Sequence, residues 1–380
     1  MENFIAYNPT QLHFGRGVMD GLGKTISAYG NRILLVYGGG SIKKNGIYDK
    51  AIEQLKSINA EIFEYAGIKP NPLVEDVDAA AKLGRENNID VILAVGGGSV
   101  IDSAKIISIS IPVNHSAWDF YAGKAQPEVA IPLVSVLTLA ATGTEMNPFA
   151  VVQNKATQQK LGYGHDLIYN KHSFLDPENT FTVPKDYTAY GIADLQAHCL
   201  EAYFGAGEAT LSDKIVFAIM RDGIEHGAAL LSDLQNYNLR ATIMYDATMA
   251  LNKMTMYGRV SGDWGVHSIG HILSLLYDTA HGASLSIVIP AWMKFHKEII
   301  PERIAFLGKH VFDVDGVDQT IAAFENYFQS IECPIRFSEI ANGDENKADV
   351  LKAMNENKVG GANHQLSNED HAKILDLFWE

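Results

Sequence analysis

The chain is short of cysteine, of basic residues and of long apolar runs, and each shortage excludes a class of protein. Its 380 residues include only two cysteines, Cys199 and Cys333, too few for a disulfide framework and in keeping with a reducing compartment. Thirty Lys and Arg against 45 Asp and Glu leave a formal charge of −15. That balance argues against nucleic acid or an anionic membrane as a partner, because phosphate-rich surfaces require a basic footprint. The longest apolar runs, such as Val91 to Val95 and Ile131 to Leu137, fall far below the roughly 20 residues that span a bilayer. No basic n-region with an apolar h-region opens the chain, so a cytoplasmic protein is expected. Repeats and low-complexity tracts are absent as well.

What is present is a change of pattern halfway along. The first half alternates β-rich runs, at 32–37, 61–65, 90–95 and 131–137, with helical spacing at 47–58 and 74–88. A βαβα rhythm of this kind implies a mostly parallel sheet with helices on both faces, and ligands at the carboxyl ends of its strands. From about Pro184 the spacing becomes helical throughout, at 187–204, 213–231, 239–256, 265–276 and 367–379. Two prolines in Leu175 to Pro184 mark the boundary. The expected division is therefore an α/β domain at 1–183 and an all-helical domain at 184–380.

Three polar turns follow strands of the first domain. Gly96-Gly97-Gly98-Ser99 lets a backbone approach a pyrophosphate, and the helix it opens presents free N–H groups to an anion. A tight turn with no ligand would look similar, and the motif is neither GxGxxG nor a Walker loop. Gly38-Gly39-Gly40-Ser41 lacks the acid that would repel a 2′-phosphate, and Lys43 and Lys44 follow it, so NADP(H) is expected ahead of NAD(H). The hydroxyl-rich turn from Thr138 through Thr142 to Asn147 suits a ribose or a carboxamide, though such turns often only cap themselves.

In the second half, Asp194 and His198 stand at i, i+4, as do His267 and His271, and His281 follows where the second helix ends. An Asp-x-x-x-His pair arises by chance about once in a chain of this composition, and Asp222 with His226 and Asp263 with His267 are examples. The set Asp194, His198, His267 and His281 carries more weight. Three imidazoles and one carboxylate suit iron(II), zinc or their neighbours, and four ligands or fewer leave a position open for Lewis-acid chemistry. Glu201, seven residues after Asp194, is either an outer acceptor for such a ligand or an exposed helix acid.

With these motifs quoted, the chain resembles the iron-containing, group III alcohol dehydrogenases, in their butanol dehydrogenase and NADPH-dependent aldehyde reductase branch. The resemblance runs through Asn8-Pro9-Thr10, Gly96 to Ser99 with Asp102 and Lys105, Thr138 to Asn147, Leu175-Asp176-Pro177, and the Asp and His set. It implies a Rossmann-like domain and a helical metal-binding domain, the dehydroquinate synthase-like architecture, with the active site in the cleft between. It implies metal binding by Asp194, His198, His267 and His281. It assigns Gly38, Gly39, Gly40, Ser41, Asn71, Gly97, Gly98, Ser99, Asp102, Thr138, Thr142, Asn147 and Lys160 to the dinucleotide, and sets His271 beside the nicotinamide. It also implies a homodimer. Thr144 stands where the family usually has serine before Glu145, a change that keeps the hydroxyl.

The expected reaction is hydride transfer between NADP(H) and a primary alcohol or aldehyde, with a divalent ion polarising the carbonyl and His271 relaying the proton. Phe149, Met254, Trp264 and Tyr277 are candidates for an apolar substrate pocket. The alternatives are an NAD-dependent polyol or lactaldehyde-type dehydrogenase and a dehydroquinate synthase-like lyase. The lyase needs basic residues in the metal-binding helices, which have few.

Overall fold

The apolar runs Ile33 to Val36 and Val91 to Val95 are fully buried, which requires cover on both faces of the strands they form. The computed structural model, which describes residues 1–380, supplies that cover. Six parallel strands, β1 (Gln11–Phe14), β2 (Arg32–Tyr37), β3 (Glu61–Tyr65), β4 (Val91–Gly96), β5 (Leu133–Leu137) and β8 (His172–Leu175), form one sheet in the order β1-β8-β5-β4-β2-β3. The register pairs Leu35 with Leu93 and Leu93 with Val134, so the central strands stack their side chains into one core with Phe174. Helices α1 (Ile47–Ser57), α2 (Val74–Glu86) and α3 (Gly98–Ser110) make the crossovers. Between β5 and β8 a separate antiparallel hairpin, β6 (Phe149–Asn154) and β7 (Gln159–Gly164), is inserted.

The second unit is helical: α4 (Lys185–Tyr203), α5 (Thr210–Ser232), α6 (Tyr237–Ala250), α7 (Gly265–Tyr277), α8 (His281–His296), α9 (Pro301–Val311), α10 (Val317–Ser330), α11 (Lys347–Glu356) and α12 (Asn368–Trp379). The units comprise Tyr7–Val183 and Pro184–Glu380, and the second also takes in Met1–Ala6. Glu2 N donates to Gly258 O at 2.9 Å and Phe4 stacks on Tyr257, contacts that fix this N-terminal segment.

Several elements differ from expectation. The helix expected to reach Met256 stops at Ala250, because Asn252 accepts from Met254 N in a turn and Lys253 adopts a left-handed φ of 80°. The short strands β1 and β8 and the β6–β7 hairpin give little periodic signal, and α8 contains Pro290, which masks its helical spacing. No helix is long and apolar enough to cross a membrane.

Candidate metal and dinucleotide sites

Helix α4 is buried along most of its length, so its Asp194, His198 and Glu201, on one face at i, i+4 and i+7, are taken out of water together. All three are less than 4% exposed. Helix α7 supplies His267 and His271, and α8 begins on His281. Small residues bring the three helices together. A Cβ on Gly282 would lie 2.0 Å from Tyr190 O of α4, and one on Gly270 of α7 would lie 2.9 Å from Ser284 Oγ of α8.

A single carboxylate oxygen is the meeting point. Asp194 Oδ1 stands 3.4 Å from His198 Nε2, 3.7 Å from His267 Nε2 and 3.6 Å from His281 Nε2. Donors arranged tetrahedrally about an ion at roughly 2.1 Å are about 3.4 Å apart, so these spacings match those of ligands to one ion. The donor atoms of Asp194, His267 and His281 all lie within 4.8 Å of one another, with His198 added through the same oxygen. Asp194 Oδ1 and His267 Nε2 are buried without hydrogen-bond partners, a costly state for two polar atoms unless something else satisfies them. A transition ion would do so.

Electrostatics point the same way. Burial alone would raise the Asp194 pKa, but His198, His281 and His267 overcome it and hold the carboxylate ionised. Burial lowers His198 to about 4 against the pull of Asp194, which leaves a neutral imidazole, the form that binds metal. For His267, burial is outweighed by the neighbouring Asp194 and Glu201 carboxylates, which raise the ring to about 9, so an ion entering the site would have to displace its proton.

Glu201 is the buried outer acceptor, not an exposed helix acid. Its Oε1 accepts from His267 N at 2.8 Å and lies 3.2 Å from His267 Nδ1, which directs Nε2 at Asp194. His271 is half-buried, with its ring 5.6 Å from that of His281 and 6.4 Å from that of His267, and it is outside the group of donors gathered on Asp194. Asp222 and His226 pair with each other at 3.2 Å on a partly exposed face of α5. Asp263, paired by spacing with His267, instead accepts from Asn363 N and His364 N and ties down a distant loop.

In the α/β unit the three turns occupy carboxyl ends of strands. Gly97 caps α3, and Ser99 is its second residue; the Ser99 hydroxyl donates to Pro70 O. A Cβ on Gly98 would sit 2.6 Å from Thr142 Cγ2, and one on Gly97 3.3 Å from Leu139 Cβ, so the first and third turns are packed directly against each other. Thr138 N donates to Gly96 O. Gly40 needs its left-handed φ of 101°, and open space faces Gly39 and Gly40.

Other expected dinucleotide residues have internal partners. Both oxygens of Asp102 are engaged, by Thr144 Oγ1 at 2.5 Å and Val151 N at 2.9 Å. Asn147 donates to Gly143 O and accepts from Phe149 N, bracing the third turn from within. Lys160 Nζ donates to Asn71 Oδ1 at 2.8 Å, which brings together two residues 89 positions apart. Lys105, quoted only as part of a motif, is wholly buried and donates to Thr144 Oγ1, Asn147 O, Asn147 Oδ1 and Phe149 O.

Of the four pocket candidates, Trp264 alone touches the metal constellation, its ring 5.6 Å from that of His267. Tyr277 exchanges hydrogen bonds with the Asn346 backbone, Met254 is 40% exposed, and Phe149 lies in the α/β hairpin.

The family model of iron-containing alcohol dehydrogenase matches residues 9–177, and that of the Fe-containing alcohol dehydrogenase family C-terminal domain matches 188–378. The probable NADH-dependent butanol dehydrogenase 1 of Bacillus subtilis is 41% identical, with 99% of each chain covered. The NADPH-dependent aldehyde reductase YqhD of Escherichia coli is 33% identical, again over 99% of each. The crystal structure of NADH-dependent butanol dehydrogenase A from Thermotoga maritima superposes with a TM-score of 0.96 at 37% identity, covering 100% of this chain and 99% of that one.

Proposed function

Since this chain belongs to the iron-containing alcohol dehydrogenase family, we propose that it interconverts primary alcohols and aldehydes with a nicotinamide dinucleotide and one divalent ion, iron or zinc, held by Asp194, His198, His267 and His281. One observation carries this reading: three imidazole Nε2 atoms stand 3.4 to 3.7 Å from the buried Asp194 Oδ1. When bound, the ion supplies Lewis acidity toward a carbonyl oxygen, and the dinucleotide supplies hydride to the carbonyl carbon.

The chain's own residues do the rest. Asp194 is the one charged member of the donor set, so a divalent ion held there would keep a net positive charge and would favour an oxygen that is gaining electron density. Glu201 fixes the tautomer and tilt of His267. His271, half-buried with its ring 5.6 Å from that of His281 and apart from the donor group, would pass a proton between the product oxygen and water, a role its near-neutral side-chain type supports. The turns at Gly38 to Ser41, Gly97 to Ser99 and Thr138 to Thr142, with Asn71 and Lys160, hold the dinucleotide. Asp102 and Asn147 serve the same site by bracing its third turn.

The Gly38 to Ser41 turn supports NADP(H), since it contains no carboxylate to repel a 2′-phosphate. NAD(H) is favoured by a different observation. Glu64 of the neighbouring β3 accepts from Tyr37 OH at 2.7 Å and Tyr48 OH at 2.8 Å, and Lys43 lies over both rings, 4.0 Å from that acid. An acid therefore does reach the end of β2, and one of the two lysines is engaged.

The deciding experiment mixes purified protein with butyraldehyde and either NADPH or NADH and follows the near-ultraviolet absorbance. Loss of signal that a chelator abolishes and a divalent ion restores is expected, and the ratio of kcat/KM for the two nucleotides assigns the cofactor. His271→Ala should slow turnover with its metal retained, whereas His267→Ala should lose the metal. Equal metal loss in both variants would overturn the separate roles.

A further inference from the structure

Nine non-glycine residues have a left-handed backbone, and Trp264, with φ 68°, is the only aromatic among them. The rest are Asn, Asp, Gln, Glu or Lys; a bulky ring in this region is unusual and disfavoured relative to glycine. Trp264 is also the residue immediately before α7, so it sets the entry of the helix that carries His267 three positions later. Strain next to a ligand is a reason to look for function there.

The surroundings keep that conformation in place. Asp263 N donates to Glu201 O at 2.8 Å, and the Asp263 carboxylate accepts from Asn363 N at 3.1 Å, His364 N at 2.7 Å and Gly265 N at 3.3 Å. Glycines flank the turn where nothing larger fits: a Cβ on Gly205 would lie 1.9 Å from Ser261 O, and one on Gly361 2.1 Å from Asp263 Oδ1. A Cβ on Gly262 would press on the indole itself at 2.9 Å. The indole also meets His267 edge-on, with ring centroids 5.6 Å apart at 70°. The imidazole is thus held at Nδ1 by Glu201 and along its side by the indole, while Nε2 faces Asp194 Oδ1.

We propose that Trp264 is a positioning residue for His267: its indole, fixed by a left-handed turn and by Gly262, keeps the imidazole oriented toward the ion and so sets metal affinity. The inference rests on the metal-site reading given above. Neither residue type nor spacing singles Trp264 out, since its role depends on a backbone conformation that tryptophan does not prefer.

The test titrates cobalt(II) into metal-stripped full-length protein, reading affinity by competition with a chelator and ligand geometry from the visible absorption band. Trp264→Gly relieves the backbone and removes the ring; it should weaken cobalt binding about tenfold or more and shift the band, without lowering the melting temperature of the metal-free protein. Trp264→Phe, which keeps a ring against His267, should recover affinity to within about threefold of the parent. Gly262→Ala, which displaces the indole without changing it, should reproduce the loss, and it decides the matter if Trp264→Gly does not fold. Parental affinity and an unshifted band in both Trp264→Gly and Gly262→Ala would overturn the proposal. His267→Ala is the control: if it loses cobalt while those variants do not, the positioning role alone fails. If it retains parental affinity, the metal-site reading fails and the proposal goes with it.

Discussion

Glu201 Oε1 accepts a hydrogen bond from the backbone N–H of His267 at 2.8 Å and stands 3.2 Å from Nδ1 of the same residue. One carboxylate oxygen therefore fixes both the start of α7 and the ring that α7 presents. Glu201→Gln preserves shape and removes the charge. Metal affinity should fall about 10- to 100-fold, read as metal retained against graded chelator, with little change in the melting temperature of the metal-free protein. Retention equal to the parent would show that Glu201 does no more than cap the helix.

Gly98→Ala places a methyl 2.6 Å from Thr142 Cγ2 and pushes apart two turns of the proposed dinucleotide site. The dissociation constant for the nucleotide should rise at least about tenfold, a change of about 1.4 kcal/mol, while metal content stays constant. Calorimetric titration measures the first and elemental analysis the second. Unchanged nucleotide binding would remove this corner from the site.

Lys105→Met should destabilise the α/β unit by about 3–5 kcal/mol in denaturant unfolding, because it leaves buried Asp102 without its cation and strips hydrogen bonds from Thr144, Asn147 and Phe149. Burial lowers the Lys105 pKa to about 7, with Asp102 and Glu145 opposing it, and its four oxygen partners favour the ammonium form. Adding Asp102→Asn should restore part of the loss, since the orphaned charge is then gone. Strict additivity of the two changes would argue against their coupling.

Asp246, buried on α6, is raised to about 8 by desolvation and then by the nearby Asp222 carboxylate. Its unfolded pKa is about 3.9, so between the two values the folded chain binds more protons than the unfolded one. Stability from this group is therefore present at low pH and falls as pH rises from about 4 to about 8. Asp246→Asn abolishes that dependence. Its melting temperature should exceed the parent's by a margin that widens from about pH 5 to about pH 8, by roughly 2–4 °C for each kcal/mol of stability that the ionising carboxyl takes away. A constant difference across the range would assign the carboxyl no such role.

Placements that follow from local spacing are legible in the sequence. Asp194, His198 and Glu201 share a face because a helix repeats every 3.6 residues, and the alternation of apolar runs with helical stretches foretells the parallel sheet. Lys105, Asp263 and Trp264 were not legible, for physical reasons. Lys105 acts through partners 39 to 44 residues away, and Asp263 through a loop about one hundred residues away. Trp264 owes its place to a dihedral that its own propensity opposes, and the acid at the end of β2 arrives from β3, outside the glycine turn where it would be sought.

The approach of Gly282 to Tyr190 and of Gly270 to Ser284 brings donors from three separate helices to one oxygen. An ion at that point would tie α4, α7 and α8 as a removable cross-link, so resistance to heat would rise and fall with the supply of free metal.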